Sequence, residues 1–172
     1  MIKSITKHND AFSLIELLVS IAVIATIIGL ALPNFLGART RARDVRRKSE
    51  VQQFKTALQL YYSDYGAYPA DSGGPLYGTI KGCGVLGTES CPCTATIDFA
   101  AGGSGCQTIY MSRLPDEFGT SMFYYQKNSG GDFCLKVPLE NTSDGDSAES
   151  QGRCDAVCPF MSSGTDYIVC SE

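Results

Sequence analysis

Hydrophobic and polar positions divide this chain into three regions. From Phe12 to Leu32 the only polar side chains are those of Ser13, Glu16, Ser20 and Thr26. As a helix this run rises roughly 30 Å, the thickness of a bilayer's hydrocarbon core, so it predicts a membrane-spanning helix. The pattern then changes. Val51, Phe54, Ala57, Leu58, Tyr61 and Tyr62 recur at i, i+3 and i+4 spacing, one apolar stripe on a helix that should pack against a sheet. Gly66 and Pro69 stop that helix near Tyr65. Pro33 lacks a backbone donor and clashes with the preceding turn, so the helix bends or loosens there, with Gly29 and Gly37 on either side. The periodicity downstream argues against a full stop at Pro33. A single helix from Phe12 to Tyr62 would span roughly 75 Å, too long for one small domain, so half of it must be buried elsewhere.

The remainder is less regular. Residues 70–119 are rich in Gly, Ser and Cys without a sustained period and read as a loop region, with a short helical turn at Ser112 to Asp116. Met122–Gln126 and Phe133–Val137 flank the turn-rich Asn128–Asp132 and predict a hairpin. A third strand is predicted at Asp166–Cys170, with Cys134 and Cys170 facing each other across neighbouring strands. Residues 141–149, with Asp144, Asp146 and Glu149, read as an acidic loop. The predicted class is α+β: a long N-terminal helix whose second half packs on a small antiparallel sheet.

Charge and cysteine usage refine this picture. Residues 56–172 carry five basic against fourteen acidic side chains, a net charge of −9, which argues against nucleic-acid binding by the head. All eight cysteines, Cys83, Cys91, Cys93, Cys106, Cys134, Cys154, Cys158 and Cys170, lie in that acidic part. An even count in a small Gly-rich region reads as a disulfide framework in an oxidising compartment, though spacing does not give the pairing. Zinc on Cys91, Cys93, Cys154 and Cys158 is the alternative; their CxC and CxxxC spacings miss the usual CxxC pairs. A basic cluster, Arg39, Arg41, Arg43, Arg46, Arg47 and Lys48, follows the apolar run and is broken only by Asp44. It reads as a solvated face or headgroup collar, or as a surface that meets acidic groups of neighbouring subunits. Charge counting alone would place the cluster in the cytoplasm. The cysteines require the opposite side, and they take precedence because the charge rule is statistical.

Glu16 is the sharpest clue. A carboxylate at the edge of hydrocarbon costs about 2.5–3.5 kcal/mol unless it is paired. Ser13 and Glu16 also fit the S-x-x-E capping box of a helix start, which satisfies backbone donors but does not explain the charge. Ala11-Phe12-Ser13-Leu14-Ile15-Glu16 and the apolar run behind it resemble the processing site of type IV prepilins and type II secretion pseudopilins. The resemblance implies cleavage between Ala11 and Phe12 by a prepilin peptidase and N-methylation of Phe12. It further implies an assembly role for Glu16, paired with the terminal amine of an adjacent subunit, and a helix kink at Pro33. The residue before the cut is usually glycine in that family; here it is Ala11. Tyr61 to Pro69, YYSDYGAYP, resembles the helix exit of major pseudopilins.

The resemblance implies a pilin-like fold in four parts. These are a leader peptide at 1–11, a transmembrane or filament-core helix half at 12–32, an amphipathic half at 33–65 and a Cys-rich extracytoplasmic head at 66–172. It implies a structural subunit that is no enzyme. The only histidine, His8, lies in the leader, so a processed chain holds no Ser–His or Cys–His site. The implied partners are further copies of itself, the membrane, the peptidase, and an assembly platform with its ATPase machinery. Calcium in the loop bearing Asp144, Asp146 and Glu149 is the one ligand the resemblance brings in. The implied location is the inner membrane, crossed once, with a filament outside it after assembly. A secretion pseudopilin is the first reading of function. A surface pilus subunit for adhesion, motility or DNA uptake is the second, and a single-pass membrane protein with an extracytoplasmic binding head the third.

Overall fold

The computed structural model describes residues 12–71, 74–75, 80–93, 98–115, 123–159 and 164–171, the side chains of 31–34 and 74–75 excepted. The leader with Ala11, as well as Met122 and Asp116, lies outside the described residues. The chain forms two compact units, residues Met1–Arg39 and Thr40–Glu172.

Helix α1, Leu14–Tyr65, supplies residues to both units and continues through Pro33, so the proline does not end it. It closes at Gly66, whose positive φ of 68° suits a residue without Cβ and whose N–H donates to the Tyr62 carbonyl at 2.8 Å. Within the second unit the predicted stripe is the core. Val51, Phe54, Ala57, Leu58 and Tyr61 are buried. Tyr62 departs from the prediction: it is exposed and packs its ring on Tyr68, 4.7 Å between centroids.

The sheet that receives this stripe has the order β2-β6-β7-β8, all antiparallel. Its strands are β2 (Gly74–Pro75), β6 (Tyr124–Lys127), β7 (Phe133–Pro138) and β8 (Asp166–Cys170). The turn between β6 and β7 is closed by Asn128, whose backbone N–H donates to the Asp132 carbonyl while its side-chain oxygen accepts from Asp132 N, both at 2.9 Å. Side chains alternate across β7 and β8 with the period of a strand. Phe133, Leu135, Val137, Tyr167 and Val169 join the α1 residues in the main core. Cys134, Ile168 and Cys170 form a second cluster with Cys154 and Cys158. Both faces of these two strands are therefore covered.

The second cover is helix α2, Gly145–Cys154, where an acidic loop was expected. Asp144 caps it, its side chain accepting from Asp146 N at 3.0 Å. The helix was hidden in the sequence because two of its three buried residues, Ser147 and Ser150, are polar and only Cys154 is apolar. Ser150 Oγ accepts the Ile168 N–H at 3.0 Å and Ser147 Oγ donates to the Asp166 carbonyl at 2.9 Å, which fastens the helix to β8. The region read as loop, 70–119, also holds short strands: β1 (Ala70–Asp71) pairs with β3 (Ile80–Lys81), and β4 (Phe99–Ala101) with β5 (Thr108–Met111). They are two to four residues long, too short to show a period. Ser112–Pro115 form no helical turn.

All eight cysteines are disulfide-bonded: Cys83–Cys91, Cys93–Cys106, Cys134–Cys158 and Cys154–Cys170. This removes the zinc alternative, because each of its four thiols is spent on a different partner. Cys134 and Cys170 do oppose one another in the β7–β8 register, as predicted. Each bonds instead to a cysteine at the end of α2 or just beyond it. The architecture is the predicted α+β, pilin-like one. Replacing Cys154 and Cys170 together by Ser opens a 16-residue closure. Denaturant unfolding of this variant should show a loss of about 2–4 kcal/mol.

Candidate functional site

Two groups of residues stand out, one in each unit. In the first unit, the apolar side chains of α1 from Leu14 to Leu30 find no cover within the chain. Leu14, Ile15, Leu17, Leu18, Val19, Ile21, Val23, Ile24, Ile27, Ile28 and Leu30 are each at least 50% exposed. A helix that is apolar all round belongs in a hydrophobic surrounding. Ser20 and Thr26 turn their hydroxyls onto the helix's own carbonyls, of Glu16 and Val23, each at 2.7 Å. At the start, the Ser13 carbonyl accepts from the N–H groups of Glu16 and Leu17. Glu16 is exposed, and among the described residues none pairs with its charge. No single helix segment there is both long and apolar enough to cross a membrane; Leu14–Leu30 and Phe35–Tyr65 qualify only together.

In the second unit, the basic cluster is largely spent inside the chain, where a solvated face or an intersubunit surface was expected. Asp44 is 1% exposed and takes two backbone N–H groups, from Glu140 and Asn141, each at 2.8 Å. Arg47, 4% exposed, lies 3.5 Å from Asp44, donates to Glu140 Oε1 at 2.9 Å and to the Pro138 carbonyl at 3.2 Å. Arg43 also grips Glu140, its Nε at 2.9 and 3.0 Å from the two carboxylate oxygens. Lys48 Nζ reaches Asp144 Oδ2 at 2.6 Å and Asp146 Oδ2 at 2.8 Å. Arg46 pairs with Glu50 one turn along the helix, at 2.7 Å. Glu140, Asp144 and Asp146 come from nearly a hundred positions away, and no local pattern announces them. Arg39 stacks over Phe35, 4.9 Å from the ring centre, and Arg41 is exposed.

These contacts set the titration of the clamp. The Arg43 hydrogen bond, assisted by the charge of Arg47, holds the Glu140 carboxyl below its ordinary range against the opposing effect of burial. Lys48 does the same for Asp144. Burial alone would lower the Lys48 ammonium, but its bonds to Asp144 and Asp146 outweigh that and raise it. The same contacts test the expected calcium loop. Asp144 and Asp146 are turned onto an ammonium group, and Glu149 lies 4.0 Å from Arg153 on the exposed side of α2. Among the described residues no group of three or more His, Cys, Asp or Glu side chains is placed to hold a metal. The residues do not fit that ion.

Comparison with known proteins agrees with the N-terminal pattern. Residues 6–32 match the prokaryotic N-terminal methylation motif. The chain is 28% identical over 120 residues to the type IV wide pilus major component PilA4 of Thermus thermophilus, covering 64% of this chain and 86% of that protein. It is 26% identical over 128 residues to the type II secretion system core protein G of Aeromonas hydrophila, covering 74% and 78%. The protein of the same description from Pectobacterium carotovorum is 27% identical over 114 residues, covering 66% and 64%. No solved structure matches significantly. The resemblance read from Ala11 onward to type IV pilins and type II secretion pseudopilins is therefore borne out.

Two outcomes follow for the clamp. Asp44→Ala removes one of the two carboxylates beside Arg47 and leaves the buried Glu140 and Asn141 N–H groups without their acceptor, and should cost about 2–5 kcal/mol in chemical unfolding. Glu140 and Asp144 have depressed folded pKa values, so their contribution is present above the ordinary carboxylate range of about 3.9–4.3 and lost as pH falls through the lower folded values. Lys48 contributes below about pH 10.4 and loses its contribution as pH rises through its raised folded value. Glu140→Gln should therefore flatten the acid limb of a plot of Tm against pH and leave the alkaline limb in place.

Proposed function

We propose that this chain, a methylation-motif protein similar to pilins and secretion pseudopilins, is a structural subunit of a type IV pilus-like filament. Within that class we read it as a type II secretion pseudopilin acting in protein export. The observation that carries the reading is the exposed apolar stretch Leu14–Leu30 with a lone carboxylate, Glu16, near its start, all of it within the matched motif.

The physical sequence of events runs from these residues. The helix half inserts in the inner membrane with the cysteine-rich head on the oxidising side. A prepilin peptidase cuts between Ala11 and Phe12 and methylates the new amine. That amine is cationic and Glu16 is anionic, both at the edge of a low-dielectric layer, where each is costly alone. A cation from one subunit meeting the carboxylate of the next satisfies both and fixes the register between subunits. The assembly platform and its ATPase then draw subunits from the bilayer. Extraction is affordable because one apolar surrounding is exchanged for another, the lipid for a bundle of like helices. Pro33 and its flanking glycines give the helix a place to bend in that bundle. Chemistry is left to other proteins; the chain itself is built to pack.

A surface pilus subunit is the second reading. It is favoured by the likeness to a wide-pilus component over most of that protein's length, and by a head stapled with four disulfides. Deleting the gene separates the two: loss of exported proteins supports the pseudopilin, whereas loss of sheared surface filaments with export intact supports the pilin. For the shared part, Glu16→Ala should insert and be processed normally yet drop out of filaments at least tenfold by immunoblot of the filament fraction. Normal incorporation would remove the assembly role. Mass spectrometry should find a mature chain that starts at Phe12 and carries one added methyl group; a chain starting at Met1 in the filament would sink the proposal.

A further inference from the structure

The geometry points to Lys48 as an internal replacement for a metal ion: its ammonium group closes the segment between β7 and α2, and the head folds without calcium. This inference concerns the head alone and stands whether or not the filament reading does.

The ammonium is a built feature rather than a chance surface pair. Lys48 Nζ lies within 2.6 Å of Asp144 Oδ2 and 2.8 Å of Asp146 Oδ2. It sits 5.7 Å from the centre of the Tyr167 ring, whose hydroxyl accepts from Gln52 Nε2 at 2.9 Å. The Lys48 side chain is only 15% exposed. One cation from α1 thus bridges the cap and the first turn of α2 and rests on an aromatic side chain of β8.

A calcium ion would need six to eight oxygens at about 2.3–2.6 Å. Several of the side-chain oxygens near this loop already accept hydrogen bonds from within the chain. Asp144 Oδ1 accepts the Asp146 N–H, and Asn141 Oδ1 accepts the Ser143 N–H. Both Glu140 oxygens face Arg43, and one of them Arg47 as well. The two Asp44 oxygens hold backbone N–H groups. A divalent ion brought to Asp144 Oδ2 and Asp146 Oδ2 would also meet the Lys48 ammonium that those oxygens already hold, and the two cations would repel one another. One site does not hold both cations. The lysine is covalently present at all times, so the segment stays closed at any calcium concentration outside the cell membrane.

The test uses the full chain in detergent, with calcium chloride as the probe. Thermal unfolding at neutral pH should give the same Tm in millimolar calcium and in excess EDTA, and calorimetry should detect no calcium binding. Lys48→Met should lower Tm by about 4 °C or more, whereas Lys48→Arg, which keeps the charge, should lose less. A wild-type Tm that rises with calcium and falls with EDTA overturns the proposal, as does a Lys48→Met variant that melts with the wild type. The wild-type arm needs no variant, so it decides the matter even where Lys48→Met does not fold.

Discussion

A carboxylate taken out of water must be given donors, and the ones Asp44 receives come from the far end of the fold. Its two oxygens hold the N–H groups of Glu140 and Asn141 just after β7 ends, and Arg47 beside it balances the charge. This fixes the exit of β7 against α1. The position of Asp144 as the α2 cap follows from there, and so does the closing of Lys48 onto it. The hydrophobic stripe of α1 presses the helix on the sheet without specifying its height along the strands. The polar clamp specifies it. Burial supplies most of the attraction, and Asp44 and Arg47 have their donors and acceptors only where the exit of β7 meets them.

What could be read from the chain beforehand was whatever has a period. The α1 stripe repeats at helical spacing and the strands β6, β7 and β8 alternate, and these fell within a residue or two of their predicted limits. The motif at Phe12 and the carboxylate at Glu16 were legible because an apolar run makes any charge conspicuous. The clamp was not. Arg43 and Glu140 are 97 residues apart, and a run of arginines looks the same whether it faces water or a partner brought in by the fold. Helix α2 was missed for a related reason. Ser147 and Ser150 are buried at helical spacing, but they act by hydrogen bonding to β8, and a scan for apolar positions passes over them. Disulfide pairing was closed to sequence reading altogether: the register neighbours Cys134 and Cys170 invite a direct bridge, yet Cys170 bonds to Cys154 at the end of α2 and Cys134 to Cys158 just beyond it.

The two units obey opposite rules. In the head, buried polar side chains find partners close at hand. In the Leu14–Leu30 stretch, apolar side chains are left open and the only polar ones, apart from Glu16, turn back on their own backbone. A chain so divided is complete as a domain at one end and incomplete at the other. The incomplete end is the one whose side chains call for an apolar surrounding, and the Glu16 carboxylate is the one group there that such a surrounding does not satisfy.

The overlap of two disulfides has a mechanical consequence. Between Cys134 and Cys170 the chain would extend roughly 120 Å if pulled straight, at about 3.3–3.6 Å per residue. The bridges Cys134–Cys158 and Cys154–Cys170 interlock, so tension passes from sulfur to sulfur and stretches only the four-residue link from Cys154 to Cys158. Almost none of that slack can be drawn out, even after every hydrogen bond in β7, β8 and α2 has failed. A head wired in this way resists tearing by covalent bonds where an ordinary small domain has only its packing.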